Sequence, residues 1–335
     1  MTKVNLSVNV GGLVMKNPVT VASGTFGSGR EYSEFWETCR LKRETSHTVA
    51  EQCDVSNEQL PGTNLLSALG AITTKGVSLE PWDGNPTPRI AETASGMLNS
   101  IGLQNKGVET FCKEDLAWLA THAPEVPVIV NVFGHTVDSF VPVIERLEQE
   151  PGVSAYEINI SCPNLESGGM AFGVVHPLAA AVTRACRDAT ARPLIVKLTP
   201  NVTDITVIAR AVEAAGADAL SLINTVAGMA IDSRTRKSVL ARGVGGLSGP
   251  AIKPIALLAL YRCYQTVRIP LIGMGGIQNV TDAIEFFLAG ATAIAIGTAN
   301  FVTPLISLNM AHDIEQWCLE AGITDIKELI GGLEL

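Results

Sequence analysis

No two cysteines in this chain are spaced C-x-x-C. The seven thiols, at positions 39, 53, 112, 162, 186, 263 and 318, are scattered. The chain therefore spells neither a zinc ribbon nor an iron–sulfur cluster, and no metal site is expected. An odd number of isolated thiols suits a reducing, cytoplasmic setting better than a disulfide framework. No apolar run is as long as a membrane span, and the opening MTKVNLSVNV lacks the charged-then-apolar plan of a secretory leader. The net charge of −9, with no cluster of Lys or Arg, disfavours a nucleic acid partner. A G-x-G-x-x-G turn is missing after the first strand: GTFGSG at 24–29 has other spacing, which weighs against a doubly wound dinucleotide-binding sheet.

An apolar fraction of 47% over 335 residues is enough for one large core, so a single barrel domain over 1–335 is expected. Eight short apolar runs are separated by helical patterns: VTVAS (19–23), AITTKG (71–76), VIVNV (128–132), YEINI (156–160), LIVKL (194–198), ALSLI (219–223), PLIGM (270–274) and AIAIG (293–297). Near-continuous apolar strands followed by helices imply parallel strands covered on their outer side, hence an α/β fold of the (β/α)8 TIM-barrel type. Helices are expected over 138–149 behind Asp138, 204–215 behind Asp204 and 281–289 behind Thr281. VNLSVNVGGLVMKN reads as an N-terminal β-hairpin turned at Gly11-Gly12 that plugs the barrel floor. From Ser23 to Lys75 is roughly 50 residues where a βαβ unit needs about 30. The polar stretch 38–64 is therefore read as an extended loop or surface excursion.

Barrel chemistry sits at the C-terminal ends of the strands. The polar residues there are Ser23, Lys75, Asn131, Asn159, Lys197, Asn224, Gly275-Gly276 and Gly297-Thr298. A lysine ending an apolar strand needs an anion; one alone is as well explained by a structural ion pair. Two, beside three asparagines, point to a ligand. Glycines after strands 7 and 8 are where barrels bind phosphate with backbone N–H groups. With a lysine at the end of strand 5, the pattern points to FMN, whose reduced ring carries negative charge that a cation stabilises.

YEINISCPNLESGGMAFG (156–173) puts a cysteine just past strand 4, between Asn159 and Asn164, fixed by Pro163 and followed by glycines. A free cysteine is by default a small buried hydrophobe. At a reactive mouth it reads instead as a general base, since a thiol of pKa about 8.5 yields thiolate where the site favours it. The glycines would let the loop close over substrate.

These stretches carry a resemblance over nearly the whole chain. ASGTFG (22–27), TTKG (73–76), GNPTPRIAETASGMLNSIGLQN (84–105), NISCPN (159–164), VKLTPN (196–201), INT (223–225), GGLSGPAIKP (245–254), IGMGGI (272–277) and AIGTANF (295–301) resemble the dihydroorotate dehydrogenases. Cysteine in the fourth place of NISCPN resembles family 1. LESGGMAFG, with Gly168 where fumarate-linked class A enzymes have lysine, resembles the NAD-linked class B.

The resemblance implies oxidation of (S)-dihydroorotate to orotate in pyrimidine synthesis, with Cys162 as base and hydride passing to FMN. Lys75, Asn99, Asn159, Asn164 and Asn224 would hold the substrate, with Thr225 adjacent and the backbone of Ser100, Ile101, Gly102 and Leu103 lining the pocket. FMN would meet Ser23, Lys75, Gly76, Asn131, Asn159 and Lys197, then Ile223, Gly249, Gly275, Gly276, Gly297 and Thr298. It further implies a homodimer with an FAD/[2Fe–2S] partner subunit on each barrel, a heterotetramer passing electrons to NAD. The 38–64 stretch is longer than this family's pattern. Three other readings compete. A dihydropyrimidine dehydrogenase-type uracil reductase shares the S-C-P loop but usually has histidine after the proline. A tRNA dihydrouridine synthase needs a basic face, and a non-catalytic scaffold would not need the strand-end set.

Overall fold

The computed structural model describes residues 4–45, 65–161 and 172–335. Two short strands, β1 (Val8–Val10) and β2 (Leu13–Met15), form the expected antiparallel hairpin. Its turn is Gly11-Gly12, with φ of 61° and 98°, a left-handed pair that favours glycine. A Cβ on Gly11 would lie 2.4 Å from the Asp218 carbonyl oxygen, and one on Gly12 3.5 Å from Pro193. Both neighbours immediately precede barrel strands, so the hairpin does cover the floor. Gly11→Ala should therefore cost about 1–3 kcal/mol by strain and collision, read as a lower melting temperature with the far-UV spectrum retained.

The barrel strands are β3 (Val19–Val21), β4 (Ile72–Thr73), β7 (Val128–Val132), β8 (Ala155–Asn159), β9 (Leu194–Lys197), β10 (Ala219–Leu222), β15 (Leu271–Met274) and β16 (Ala293–Ile296). Seven fall inside the apolar runs, and β8 begins one residue before its run, at Ala155. They order β3-β16-β15-β10-β9-β8-β7-β4, every hydrogen-bonded neighbour being parallel. Between the end strands, the buried Thr20 and Thr73 hydroxyls meet at 3.2 Å and close the ring from inside.

Helices cover the barrel through stripes at i, i+3, i+4, i+7: Ala179, Val182, Thr183 and Cys186 on His176–Ala189, and Ile205, Ile208, Ala209 and Val212 on Ile205–Ala214. Cys186 and Cys263 lie on such stripes, and burial pushes each thiol up to about 12. These are inert core residues.

Asp204 caps its helix as expected, accepting from the Thr206 N–H at 2.9 Å. The other two expected caps are corrected. The 138–149 helix is a 3-10 turn, Val137–Ser139, followed by an α-helix over Val141–Leu147. Its cap is Thr136, whose N–H donates to Ser139 Oγ at 3.0 Å in a capping box, while Asp138 lies inside the turn. The helix Val280–Leu288 is capped by Asn279, which accepts from the Asp282 N–H at 3.0 Å, and Thr281 lies in its first turn. For this helix, an amide two residues before Thr281 meets the free N–H.

A second sheet, unforeseen from the sequence, contains β5 (Ile90–Thr93), β6 (Gly96–Asn99), β11 (Val226–Gly228) and β14 (Gly245–Ser248) in the order β11-β14-β6-β5, all antiparallel. A ribbon of β12 (Ile231–Asp232) and β13 (Lys237–Ser238) lies between β11 and β14 in the chain. The helix Arg30–Thr45 enters the 38–64 stretch, whose remainder, 46–64, lies outside the described residues.

Candidate functional site at the barrel mouth

Strand register aligns the polar residues in rows. Asn159 pairs with Lys197, and Lys197 with Ser221, across β8, β9 and β10. One step lower, Asn131 pairs with Glu157 across β7 and β8. Laterally paired residues point to the same face, so these side chains share the barrel interior.

Glu157 joins the rows. Its Oε1 accepts from Asn131 Nδ2 at 2.6 Å, its Oε2 accepts from Ser221 Oγ at 2.7 Å, and Lys197 Nζ lies 3.6 Å from Oε1. Lys197 thus has an anion within the protein, as the structural reading of a strand-end lysine required. Its Nζ nevertheless donates no hydrogen bond among the described residues. Asn131 is fully buried, and its Oδ1 has no hydrogen-bond partner among the described residues. That oxygen sits where a Cβ on Gly76 would be 2.9 Å away.

Lys75, two residues past β4, has no charged partner at bonding distance among the described residues. Burial, then Arg89, pulls its ammonium below the ordinary lysine range, and Glu31 offsets part of this. A lysine so placed holds a charge that a bound anion would stabilise.

The asparagines are tied together. Asn159 Oδ1 accepts from the Ser161 hydroxyl at 2.6 Å, and Asn224 Nδ2 donates to the same hydroxyl at 2.7 Å. Asn99, at the end of β6, faces the Gly246 carbonyl at 3.4 Å and reaches the mouth on the second sheet. Thr225 is fixed through Asn201, whose Nδ2 donates to the Thr225 carbonyl at 3.0 Å. Ser100, Ile101, Gly102 and Leu103 follow Asn99 directly. Ser100 Oγ is buried without a partner among the described residues, and Leu103 has a φ of 61°. Ser23 is partly buried past β3, and Ile223 is buried past β10.

Glycine is required where the last loops converge. Gly276 has φ 86°, and a Cβ there would sit 2.9 Å from Lys253 N and 3.0 Å from the Gly249 carbonyl oxygen. Gly249 has φ 95° and abuts Gly96, whose Cα lies 2.7 Å from where a Cβ would project. Gly275 is also left-handed, at φ 122°. Beside them, Thr298 Oγ1 donates to Ser248 Oγ at 2.8 Å, and a Cβ on Gly297 would meet only ordinary contacts, Ala22 at 3.4 Å and Thr25 at 3.9 Å among the described residues. Lys253, ion-paired to Asp282 at 2.6 Å and Glu285 at 2.8 Å, ties the start of the helix Lys253–Tyr264 to the helix Val280–Leu288. Cys162, Pro163 and Asn164 lie outside the described residues, as do 165–171.

Sequence reasoning missed Glu157, Ser161 and Asn201. A carboxylate in the apolar run YEINI was a visible signal for Glu157, because a buried charge needs partners. The other two carried none.

Fold and mouth together define a (β/α)8 barrel whose strand ends carry lysines and asparagines beside a cluster of glycines. The family described as dihydroorotate dehydrogenase matches residues 39–317. A protein of Desulforamulus reducens named "Dihydroorotate dehydrogenase B (NAD(+)), catalytic subunit" is 50% identical over 99% of this chain and 100% of its own length. Proteins of the same name from Pelobacter propionicus and Geobacter metallireducens are each 48% identical, over 99% of both chains and 100% of both chains. The chain belongs to the dihydroorotate dehydrogenase family.

Proposed function

We propose that this chain oxidises (S)-dihydroorotate to orotate, with FMN held at the barrel mouth, as the catalytic subunit of an NAD-linked enzyme of pyrimidine synthesis. One observation carries the reading: a buried amide acceptor, Asn131 Oδ1, and an ammonium, Lys75 Nζ, both lack a partner among the described residues at the same mouth. The relatives' shared name narrows the chemistry.

FMN fits the residues present. The cradle of Gly249, Gly275, Gly276, Gly297 and Thr298 admits a phosphate close to the backbone. Ser23, Lys75, Gly76, Asn131, Asn159, Lys197 and Ile223 would meet the ring and its chain. Bound there, FMN supplies the two-electron acceptor for the hydride leaving C6. The protein's own residues do the rest. Lys75 neutralises the substrate carboxylate. Asn99, Asn159, Asn164 and Asn224 offer both donors and acceptors to a planar ring bearing two N–H and two C=O groups. Thr225 and the backbone of Ser100 to Leu103 close the pocket. Cys162, joined directly to the Ser161 that links two of these asparagines, takes the C5 proton as thiolate.

Electrons would leave through a partner subunit carrying FAD and a [2Fe–2S] cluster, within a heterotetramer built on a homodimer. The words "catalytic subunit" in the relatives' names support a partner. Cytoplasmic placement is supported by four buried free thiols among the described residues. No helix among the described residues is long and apolar enough to cross a membrane.

Steady-state assays of the purified protein with FMN test the reading. Orotate should form from dihydroorotate with an artificial acceptor, and dihydrouracil should not react. Reduction of uracil with no dihydroorotate turnover would install the pyrimidine reductase reading instead. Gly276→Ala, which forces a Cβ against Lys253 N, should weaken FMN binding about tenfold, about 1.4 kcal/mol, measured by recovery of flavin fluorescence on dilution.

A further inference from the structure

We propose that Glu157 is a positioning residue that sets the hydrogen-bond polarity of the site floor and offsets the charge that Lys197 would offer a bound flavin. The inference rests on the functional reading above and goes beyond it, to how the redox balance of the site is set. Glu157 lies inside the barrel at 2% exposure, one row below the strand ends. A carboxylate accepts only. With Oε1 taking Asn131 Nδ2 and Oε2 taking the Ser221 hydroxyl, both side chains are forced to point their donors at Glu157.

The consequence for Asn131 is specific. Its N–H side is committed, so its carbonyl oxygen is the end left without a partner among the described residues. An amide held that way selects a ligand N–H. With the amide flipped, the same position would present a donor and select a carbonyl. Glu157 therefore determines what Asn131 can read, without touching the ligand.

The consequence for Lys197 is electrostatic. Its ammonium, 4% exposed, sits 3.6 Å from a full negative charge in a water-poor interior. Part of the positive field that the lysine would offer a ligand is cancelled. Reduction puts negative charge on the flavin ring, and nearby protein charge tunes that equilibrium. Glu157 thus holds the flavin less oxidising than the lysine alone would make it.

Midpoint potentials of the FMN-loaded protein test this, using two variants with opposite expectations. Glu157→Gln keeps the shape and removes the charge. The two-electron reduction equilibrium should move about tenfold toward reduced flavin, a rise of about 30 mV. Ser221→Ala keeps the charge but removes the hydroxyl that shares it, so more of it falls on Lys197. The equilibrium should move about threefold the other way. A purely structural cluster would lower stability in both variants and move the potential in neither, and unchanged potentials overturn the inference. If Glu157→Gln does not fold, the direction of the Ser221→Ala shift decides alone. An unaltered protein that takes up no FMN removes the functional reading and this inference together. An unaltered protein that is yellow and bleached by dihydroorotate, with variants at its own potential, removes this inference only.

Discussion

Cys162→Ser should retain FMN and lose about 10²–10⁴ of its turnover near neutral pH, recovering part of it as pH rises. A serine hydroxyl ionises far above a thiol, whose ordinary pKa is about 8.5. At neutral pH a thiol reaches the thiolate form with modest help from its site, and a hydroxyl does not. Rising pH increases the small ionised fraction of serine, so the loss should shrink in the alkaline range. Stopped-flow reduction of the bound flavin by dihydroorotate isolates this step from later electron transfer. If the variant reduces flavin at the unaltered rate at neutral pH, Cys162 is not the base.

Lys197→Ala should slow flavin reduction by about two orders of magnitude, within the span that removing one electrostatic stabiliser costs, while orotate binding falls much less. It should also destabilise the protein by about 3–5 kcal/mol, because breaking a buried ion pair strands the other charge. The stranded group is Glu157, with Asn131 and Ser221 still bonded to it. The two effects separate in the double variant Lys197→Ala with Glu157→Gln. Denaturant unfolding should show much of the stability restored, while flavin reduction stays slow. Weaker orotate binding with normal flavin reduction would move Lys197 to the substrate side.

Both predictions use residues that the sequence exposed for one reason. Parallel strands buried on both faces read as apolar runs, so a lysine or asparagine ending one stands out. Lys75, Asn131, Asn159, Lys197 and Asn224 were readable in this way, and the eight strands with them. Helix caps were less so. Asp138 and Thr281 are reasonable cap types, but Thr136 and Asn279 hold the roles, because a cap is decided by which side chain meets a free N–H, and several adjacent residues compete. The second sheet was unreadable for another reason. β14 is Gly245–Ser248 and β6 is Gly96–Asn99, too rich in glycine and too short to alternate, and their pairing joins segments about 150 residues apart. Asn99 is singled out by family resemblance alone, and it ends β6 of that second sheet opposite Gly246. Glu157 is hidden within a strand pattern, although a carboxylate among apolar neighbours requires donors around it.

The role of the mouth is tested most directly by anaerobic mixing of the FMN-loaded chain with (S)-dihydroorotate. The expected result is prompt loss of the flavin's yellow absorbance, with one orotate formed per flavin bleached, in the absence of any partner subunit. A flavin that stays oxidised while dihydroorotate is demonstrably bound would contradict the account.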